Sequence, residues 1–422
     1  MHILTRAQLF ARLVAARFSI VFIGSLLLAQ GGAAQTGLSM KDAISLALGR
    51  RPELRAGLAK VESSGGLRQQ AAMRPNPRFI FQTEDINRSR SNLNFAQGAQ
   101  TYAYASQVFE ARGKRGGRIA VADQVVEGRK AQLDSMHREI VLNVRRAYWE
   151  AEGAQRTRDL YAQDDDYFRQ IVDYHQARFN EGKLPEVDLL RVRLERERIH
   201  AAAENANLEA QRSLLQLARE LSSPTNDRWM LVEDFQALET PAEAPGQRDF
   251  VTLRPEGRSA LAALAEARAN IELQRANRRQ DVQGLFGYKR NGPDNTMIAG
   301  LQINLPVFDR NQGAVAASEA EARAAEETVA TLRNQITSEV ALARREYQMR
   351  SDQYLQTFQP LLHRAVEISD ISRAAYREGG LDLVRLLDAE RLRVEAQISW
   401  VNALLSYHQS VASLEYGEGV EP

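Results

Sequence analysis

The residues able to do chemistry are plentiful in this 422-residue chain, but they are not grouped for it. His137, His175, His200, His363 and His408 stand singly. No two share the i, i+4 spacing by which a helix presents a histidine pair to zinc. The chain has no cysteine, which excludes disulfides, thiol nucleophiles and thiolate metal sites. Asp164-Asp165-Asp166 comes nearest to a cation site and reads instead as a solvated charge run. Tyr148-Trp149 reads as packing or a helix contact rather than a ligand cage. Seven methionines are no enrichment and argue against a methionine copper relay. The turn Gly113-Lys114-Arg115-Gly116-Gly117 precedes a helix, as a phosphate cradle would, but lacks the rest of a phosphate-loop pattern. It reads as a strand-to-helix turn. No catalytic, cofactor or metal site is expected.

The elements that carry these residues are long. From Ile119, every seventh residue is apolar or aromatic: Ile119, Val126, Leu133, Ile140, Ala147, Ala154, Tyr161 and Phe168. With no proline between Gly116 and Phe179, this is one helix of roughly 95 Å. A compact globule cannot bury such a rod. A strict seven-residue period also calls for a left-handed supercoil against neighbouring helices. The core must therefore be shared between helices or between chains.

Composition narrows the setting. Residues 1–34 have the form of a secretory signal: Arg6, Arg12 and Arg17 without an acid, the apolar run Phe18–Ala29, then Gly32-Ala33-Ala34. Without them the chain carries 52 basic against 54 acidic residues, a balance that argues against nucleic acid as a partner. No later apolar run is long enough to be a membrane helix, so any crossing must be made by strands.

Ser39–Met73 reads as helix, with Ser39 as N-cap and Pro52 kinking or dividing it. Arg78–Asn87 and Gln100–Phe109 alternate with period two, as strands do. The long helix ends at Glu181-Gly182. A return helix from Glu186 to Leu221 follows, with Pro185 in its first turn. Then the pattern restarts. Arg254-Pro255-Glu256 repeats Arg51-Pro52-Glu53, and Asp281–Arg290 and Thr296–Phe308 are again strands. A second long helix begins near Gly313 and ends at Glu378-Gly379, which repeats Glu181-Gly182 at an offset of 197. Leu381, Val384, Leu386 and Leu387 repeat Leu184, Val187, Leu189 and Leu190 at that same offset. One unit is used twice. The expected division is a signal over 1–34, a first repeat over 35–221, a connector over 222–253, a second repeat over 254–416 and a tail over 417–422. In each repeat two half-length helices match one full-length neighbour. Four strands per chain cannot close a barrel around an interior, whereas three chains supply twelve.

These residues resemble the outer-membrane efflux protein family of the TolC type over essentially the whole mature chain. The resemblance rests on the twofold repeat, on Leu305-Pro306-Val307-Phe308-Asp309-Arg310-Asn311-Gln312-Gly313, and on the turns at 181–190 and 378–388. The 305–313 string looks most like members serving cobalt-zinc-cadmium-type heavy-metal exporters. The resemblance implies a mainly α fold with a small β part. A homotrimeric α-barrel would cross the periplasm beneath a twelve-stranded β-barrel set in outer-membrane lipid. The connector would lie at the equator of the helical part. A periplasmic adaptor and an inner-membrane pump of the resistance-nodulation-division class are the implied partners, and heavy-metal cations, or else drugs, the cargo. Many relatives carry a lipidated cysteine; none is present here, so no lipid anchor is expected.

The family's entrance is narrowed by acids after the second glycine turn. The matching positions are Arg385 and Asp388, with Asp188 and Arg191 in the first repeat. Arg385 is placed to pair with Asp388 at i, i+3. Gly182, Leu184, Gly379 and Leu381 are the expected adaptor-docking tips, with both leucines exposed. The competing reading is a soluble periplasmic coiled-coil adaptor or scaffold.

Overall fold

A computed structural model describes residues 36–85, 99–223, 229–241 and 249–420. The expected signal segment and the polar loop 88–98 lie outside these residues. Chain order is β1 (Thr36–Leu38), α1 (Met40–Arg50), α2 (Pro52–Ala71), β2 (Arg78–Glu84), β3 (Gln100–Phe109), α3 (Lys114–Asn180) and α4 (Glu186–Glu220). The second half follows with β4 (Trp229–Leu231), α5 (Phe250–Leu253), α6 (Pro255–Asn277), β5 (Val282–Asn291) and β6 (Asp294–Ile303). It ends with α7 (Gln312–Gln353), a π-helical turn (Tyr354–Phe358), α8 (Gln359–Arg377) and α9 (Leu383–Glu418).

Local chemistry sets these boundaries. Ser39 caps α1 by accepting from the Asp42 N–H at 3.1 Å. Pro52 divides the helix, because its ring excludes the preceding residue from the α region, and Arg51 is extended. The α3 helix has 67 residues, and none of its eight heptad positions is exposed. The second long helix departs from the expectation of an unbroken rod. Pro360 lacks an N–H and would press on the carbonyl four residues back, and a widened turn at Tyr354–Phe358 precedes it.

The helices form a wall four rods wide. In the first rod α4 meets α1 and α2 end to end: the Arg51 Nε and Nη2 donate to the Glu220 carbonyl at 2.9 and 2.8 Å. The second rod is α3. The third is α9 stacked on α6, where Gly419 abuts Leu253 and Arg254, and Arg254 lies over the Tyr416 ring. The fourth is α7 continuing through the π turn into α8. The junctions at Arg51 and Arg254 are the Arg-Pro-Glu repeats of the sequence. Half-length helices stacked in pairs beside full-length ones is the arrangement the lengths called for.

The strands form one antiparallel sheet in the order β2-β3-β5-β6. Arg78 pairs with Ser106, Phe109 with Val282, and Val282 with Ile303. Strand order matches rod order, since β2 follows α2, β3 leads into α3, β5 follows α6 and β6 leads into α7. The last strand is shorter than expected at its end: it stops at Ile303, leaving Leu305–Phe308 as an exposed connection. The two prolines of the connector, Pro241 and Pro245, call for irregular chain with short pieces, and one such piece is a strand. Its β4 pairs in parallel with β1, placing Leu38 and Leu231 in the main core with Trp149 and Phe235. Three-residue strands carry no period, so the sequence gives no warning of this ladder.

Candidate functional site

The sheet has two unlike faces. Phe79, Phe81, Phe109, Phe286, Tyr288, Met297, Leu301 and Ile303 share one face by register, and all are exposed. The other face carries Gln82, Glu84, Gln100, Tyr102, Ser106, Gln283, Lys289 and Gln302. There Gln283 donates to Ser106 at 2.6 Å, and the Lys289 ammonium sits 5.0 Å from the centre of the Tyr102 ring. Strands of seven to ten residues with one apolar and one mostly polar face suit a bilayer on one side and water on the other. Among the described residues, β2 and β6 are each paired on one side only. Such edges are templates for a further strand.

Midway along the wall all four rods line one groove of about 530 Å³. The wall is therefore concave here. Arg146, Glu150, Arg219, Glu220, Glu346 and Arg350 line the groove, a balanced set of charges. The opposite side of α3 is covered by the connector. There the Tyr148 hydroxyl donates to the Leu38 carbonyl at 2.7 Å, and Trp149 stacks on His408 at 3.9 Å. His408 donates from Nε2 to the Phe235 carbonyl at 2.9 Å; burial lowers its pKa and keeps it neutral. Tyr148 and Trp149 are packing residues, as the sequence indicated.

Nearer the tips lies a feature the sequence reading missed. Asp164 is not solvated: it is buried and accepts from Arg393 Nη2 at 2.5 Å. Asp165 pairs with Arg196 and His200, and only Asp166 fits the expectation of an exposed charge. Arg393 also donates to Glu390 at 2.9 Å. Glu390 is fully buried and accepts in addition from Arg373 (Nη2, 2.7 Å), Ser369 (3.0 Å) and Tyr167 (3.3 Å). Burial pushes the Glu390 carboxyl up, and the hydrogen bonds from Arg373 and Arg393 reverse this, leaving its pKa below the ordinary value. Asp164 has fewer donors, and burial holds its pKa above the ordinary value. The network ties α3, α8 and α9 together. A signal for it exists: Glu390 and Arg393 occupy positions in the stripe that buries Leu383, Leu386, Val394, Val401, Leu404 and Val411. Charges at core positions must find partners.

At the two tips, Gly182 and Gly379 adopt φ of +73° and +77°. Each ends its helix with the same pair of bonds. Gly182 donates to the Phe179 carbonyl at 2.9 Å, and the next N–H, of Lys183, to Arg178 at 2.9 Å. Gly379 and Gly380 do likewise to Tyr376 and Ala375 at 3.1 and 2.9 Å. A left-handed backbone is needed at both, and nothing else crowds either glycine. Pro185 serves as the N-cap rather than inside the first turn, and Asp382 is its counterpart, accepting from the Arg385 N–H at 2.9 Å.

Two expectations about the tips need correcting. Leu184 and Leu381 are half-buried, folded back by the turn, and the exposed apolar side chains nearby are Val187, Leu190 and Val384. Arg385 does not pair with Asp388; it reaches back to Asp382 at 3.6 Å, because Asp382 already sits over its N–H. Asp388 is exposed. Asp188 pairs with Arg191 at 3.4 Å. No group of three His, Asp or Glu among the described residues is placed to hold a metal ion. No helix among them is long and apolar enough to cross a membrane.

A long-helix wall joined to a small amphipathic sheet, built twice in one chain, is the fold seen in solved outer-membrane channels. The outer membrane efflux protein family matches residues 43–222 and 252–416, and the chain belongs to that family, whose members are transport ducts and not enzymes. The cobalt-zinc-cadmium resistance protein CzcC of Cupriavidus metallidurans is 25% identical over 394 residues, covering 90% of this chain and 89% of its own. The nickel-cobalt-cadmium resistance protein NccC of Alcaligenes xylosoxydans is 25% identical over 288 residues, covering 68% and 65%. Among solved structures, CusC superposes with a TM-score of 0.77 at 18% identity, covering 93% of this chain and 95% of its own. Family membership removes the soluble adaptor reading.

Proposed function

We propose that this protein is the passive outer-membrane duct of a tripartite heavy-metal efflux system, and that it works as a homotrimer. The observation that carries the trimer is the coincidence of open edges. The wall ends in α2 and α4 on one side and in α7 and α8 on the other, and the sheet ends in β2 and β6 on those same sides. Val187, Leu194, Leu208 and Leu215 are exposed at multiples of seven residues along α4. Leu342, Met349, Leu361 and Ile368 are exposed on the rod at the other edge. A heptad stripe facing water calls for a partner helix. A head-to-tail ring of identical copies joins unlike edges and leaves none over. Three copies give twelve strands, with the apolar face toward lipid and the polar face around a channel.

In this reading the balanced charges of the midway groove face the channel and hold no single ion. Transport energy comes from an inner-membrane pump of the resistance-nodulation-division class, reached through a periplasmic adaptor. The adaptor docks on the tips at Gly182 and Gly379, with Val187, Leu190 and Val384 joining Leu184 and Leu381 as apolar contacts. Three copies of Asp388 ring the entrance and favour cations by their local field. Likeness to CzcC and NccC, both resistance proteins for divalent metals, supports metal cations as the cargo. The test has two arms: the mass of the purified protein in mild detergent, and its conductance in a planar bilayer. A trimer that forms discrete pores is expected. A monomer without pores would overturn the proposal.

A further inference from the structure

Where the sheet meets the helices, the chain becomes strongly basic. The segments 72–78, 110–118, 277–281 and 304–312 all lie at this junction. They contain nine cations: Arg74, Arg78, Arg112, Lys114, Arg115, Arg118, Arg278, Arg279 and Arg310. They contain three acids: Glu110, Asp281 and Asp309. Two of the acids are taken, Glu110 by Arg118 and Asp281 by Lys114 at 2.9 Å. The other seven cations are exposed, with no carboxylate partner among the described residues; Arg78, opposite Ser106, lies on the polar face of the sheet, which leaves six for the collar. Three of them are braced by turn carbonyls. Arg115 donates to Ala72 at 2.6 Å, Arg278 to Arg310 at 3.3 Å and Arg279 to Arg112 at 2.9 Å, each from one nitrogen. The rest of each guanidinium fork stays available. The far end of the sheet is different. There Lys289 and Arg290 stand with Glu84, Asp85 and Asp294, so no excess of positive charge exists among the described residues.

A second feature coincides with this collar. Leu305, Val307 and Phe308 are 79%, 60% and 91% exposed, and they lead directly into Arg310. Phe109 is likewise exposed at the end of β3, just before Arg112. Exposed apolar side chains beside unpaired arginines match a bilayer boundary, where acyl chains give way to phosphate.

We propose that this junction is a binding collar for anionic phospholipid headgroups in the periplasmic leaflet of the outer membrane. The inference rests on the sheet being the membrane band. The arginine forks suit phosphodiester oxygens, and Leu305, Val307 and Phe308 enter the acyl layer beside them. The charge at this junction gives the collar two effects: it fixes the depth of the sheet, and it gathers anionic lipid around each copy.

The test uses the whole protein in neutral detergent, titrated with phosphatidylglycerol or phosphatidylcholine and read by native mass spectrometry. Arg74, Arg112 and Arg310 make no side-chain hydrogen bond or ion pair among the described residues, so Arg74→Gln/Arg112→Gln/Arg310→Gln leaves the internal contacts intact. The wild type should retain phosphatidylglycerol over phosphatidylcholine by at least about tenfold at low salt, with the preference shrinking as salt rises. The triple variant should lose most of that preference. Equal retention of the two lipids by a wild type that still inserts into phosphatidylcholine bilayers would overturn the collar and leave the membrane band standing. Failure to insert into any bilayer would overturn the membrane band itself. A triple variant with unchanged lipid preference but lost adaptor binding would assign the collar to a protein partner and overturn the proposal.

Discussion

Replacing Glu390 with alanine should cost far more than neutralising Asp164, although both carboxylates are buried in one network. Glu390 accepts from Arg373, Arg393, Ser369 and Tyr167 at once. Its removal strands two guanidiniums. The Arg393 side chain is only 9% exposed and that of Arg373 26%. Breaking a buried ion pair from one side costs about 3–5 kcal/mol. Arg393 keeps Asp164 and Gln397, and Arg373 keeps the Tyr167 face at 4.3 Å, so the loss should fall near about 3 kcal/mol, the lower end of that range. Asp164 is different. One of its oxygens has no partner among the described residues, and burial already disfavours its charge. Asp164→Asn removes that penalty along with the attraction and should cost less than about 1 kcal/mol.

The two groups also carry opposite pH signs. Glu390, depressed in the fold, stabilises fully above the ordinary carboxylate range, and the contribution is lost as pH falls through its lower folded value. Asp164, raised in the fold, destabilises when ionised, and the penalty is relieved as pH falls and it takes up a proton. Guanidinium unfolding of the purified protein, followed by helical circular dichroism, gives both costs. Hydrogen exchange over 160–175 and 383–397 localises them. Equal losses for Glu390→Ala and Asp164→Asn would refute the reasoning.

Further outcomes follow from the same geometry. Gly379→Val should stop export while leaving assembly intact, whereas Gly379→Asn should retain it, since asparagine tolerates positive φ; efflux assays on both variants decide this. Asp388→Ala should raise single-channel conductance and weaken blockade by divalent ions, and unchanged currents would remove Asp388 from the entrance. Phe81→Arg should cost about 2–4 kcal/mol of membrane stability if it lies at mid-depth, and Ile80→Arg, on the polar face, much less; urea titration in lipid compares them. Burial lowers the pKa of His175, which bridges the Ile171 carbonyl and the Tyr376 hydroxyl at 2.7 Å each. Its neutral form therefore stabilises above its ordinary value near 6.5, and stability is lost as pH falls through the lower folded pKa. His175→Gln should flatten that acid limb of the unfolding curve.

What the sequence determined by itself is whatever local periodicity and local backbone chemistry control. The heptads of α3, the period-two strands, Pro52 at a helix start and the paired glycine turns all follow from interactions within a few residues. The repeat could be read because each local signal occurs twice. Tertiary structure decided what lies between distant segments. Asp164 is separated from Glu390 and Arg393 by more than two hundred residues of chain, and only helix packing makes the three one buried network. His175 continues the α3 heptad after Phe168, yet its partner Tyr376 belongs to the other repeat. The β1–β4 ladder joins strands too short to carry a pattern. Arg385 turned to Asp382 because the cap geometry of α9, set by the backbone, placed that carboxylate nearer than Asp388. The concavity of the wall, with four rods around one groove, is likewise fixed by packing, which no single stretch of sequence contains.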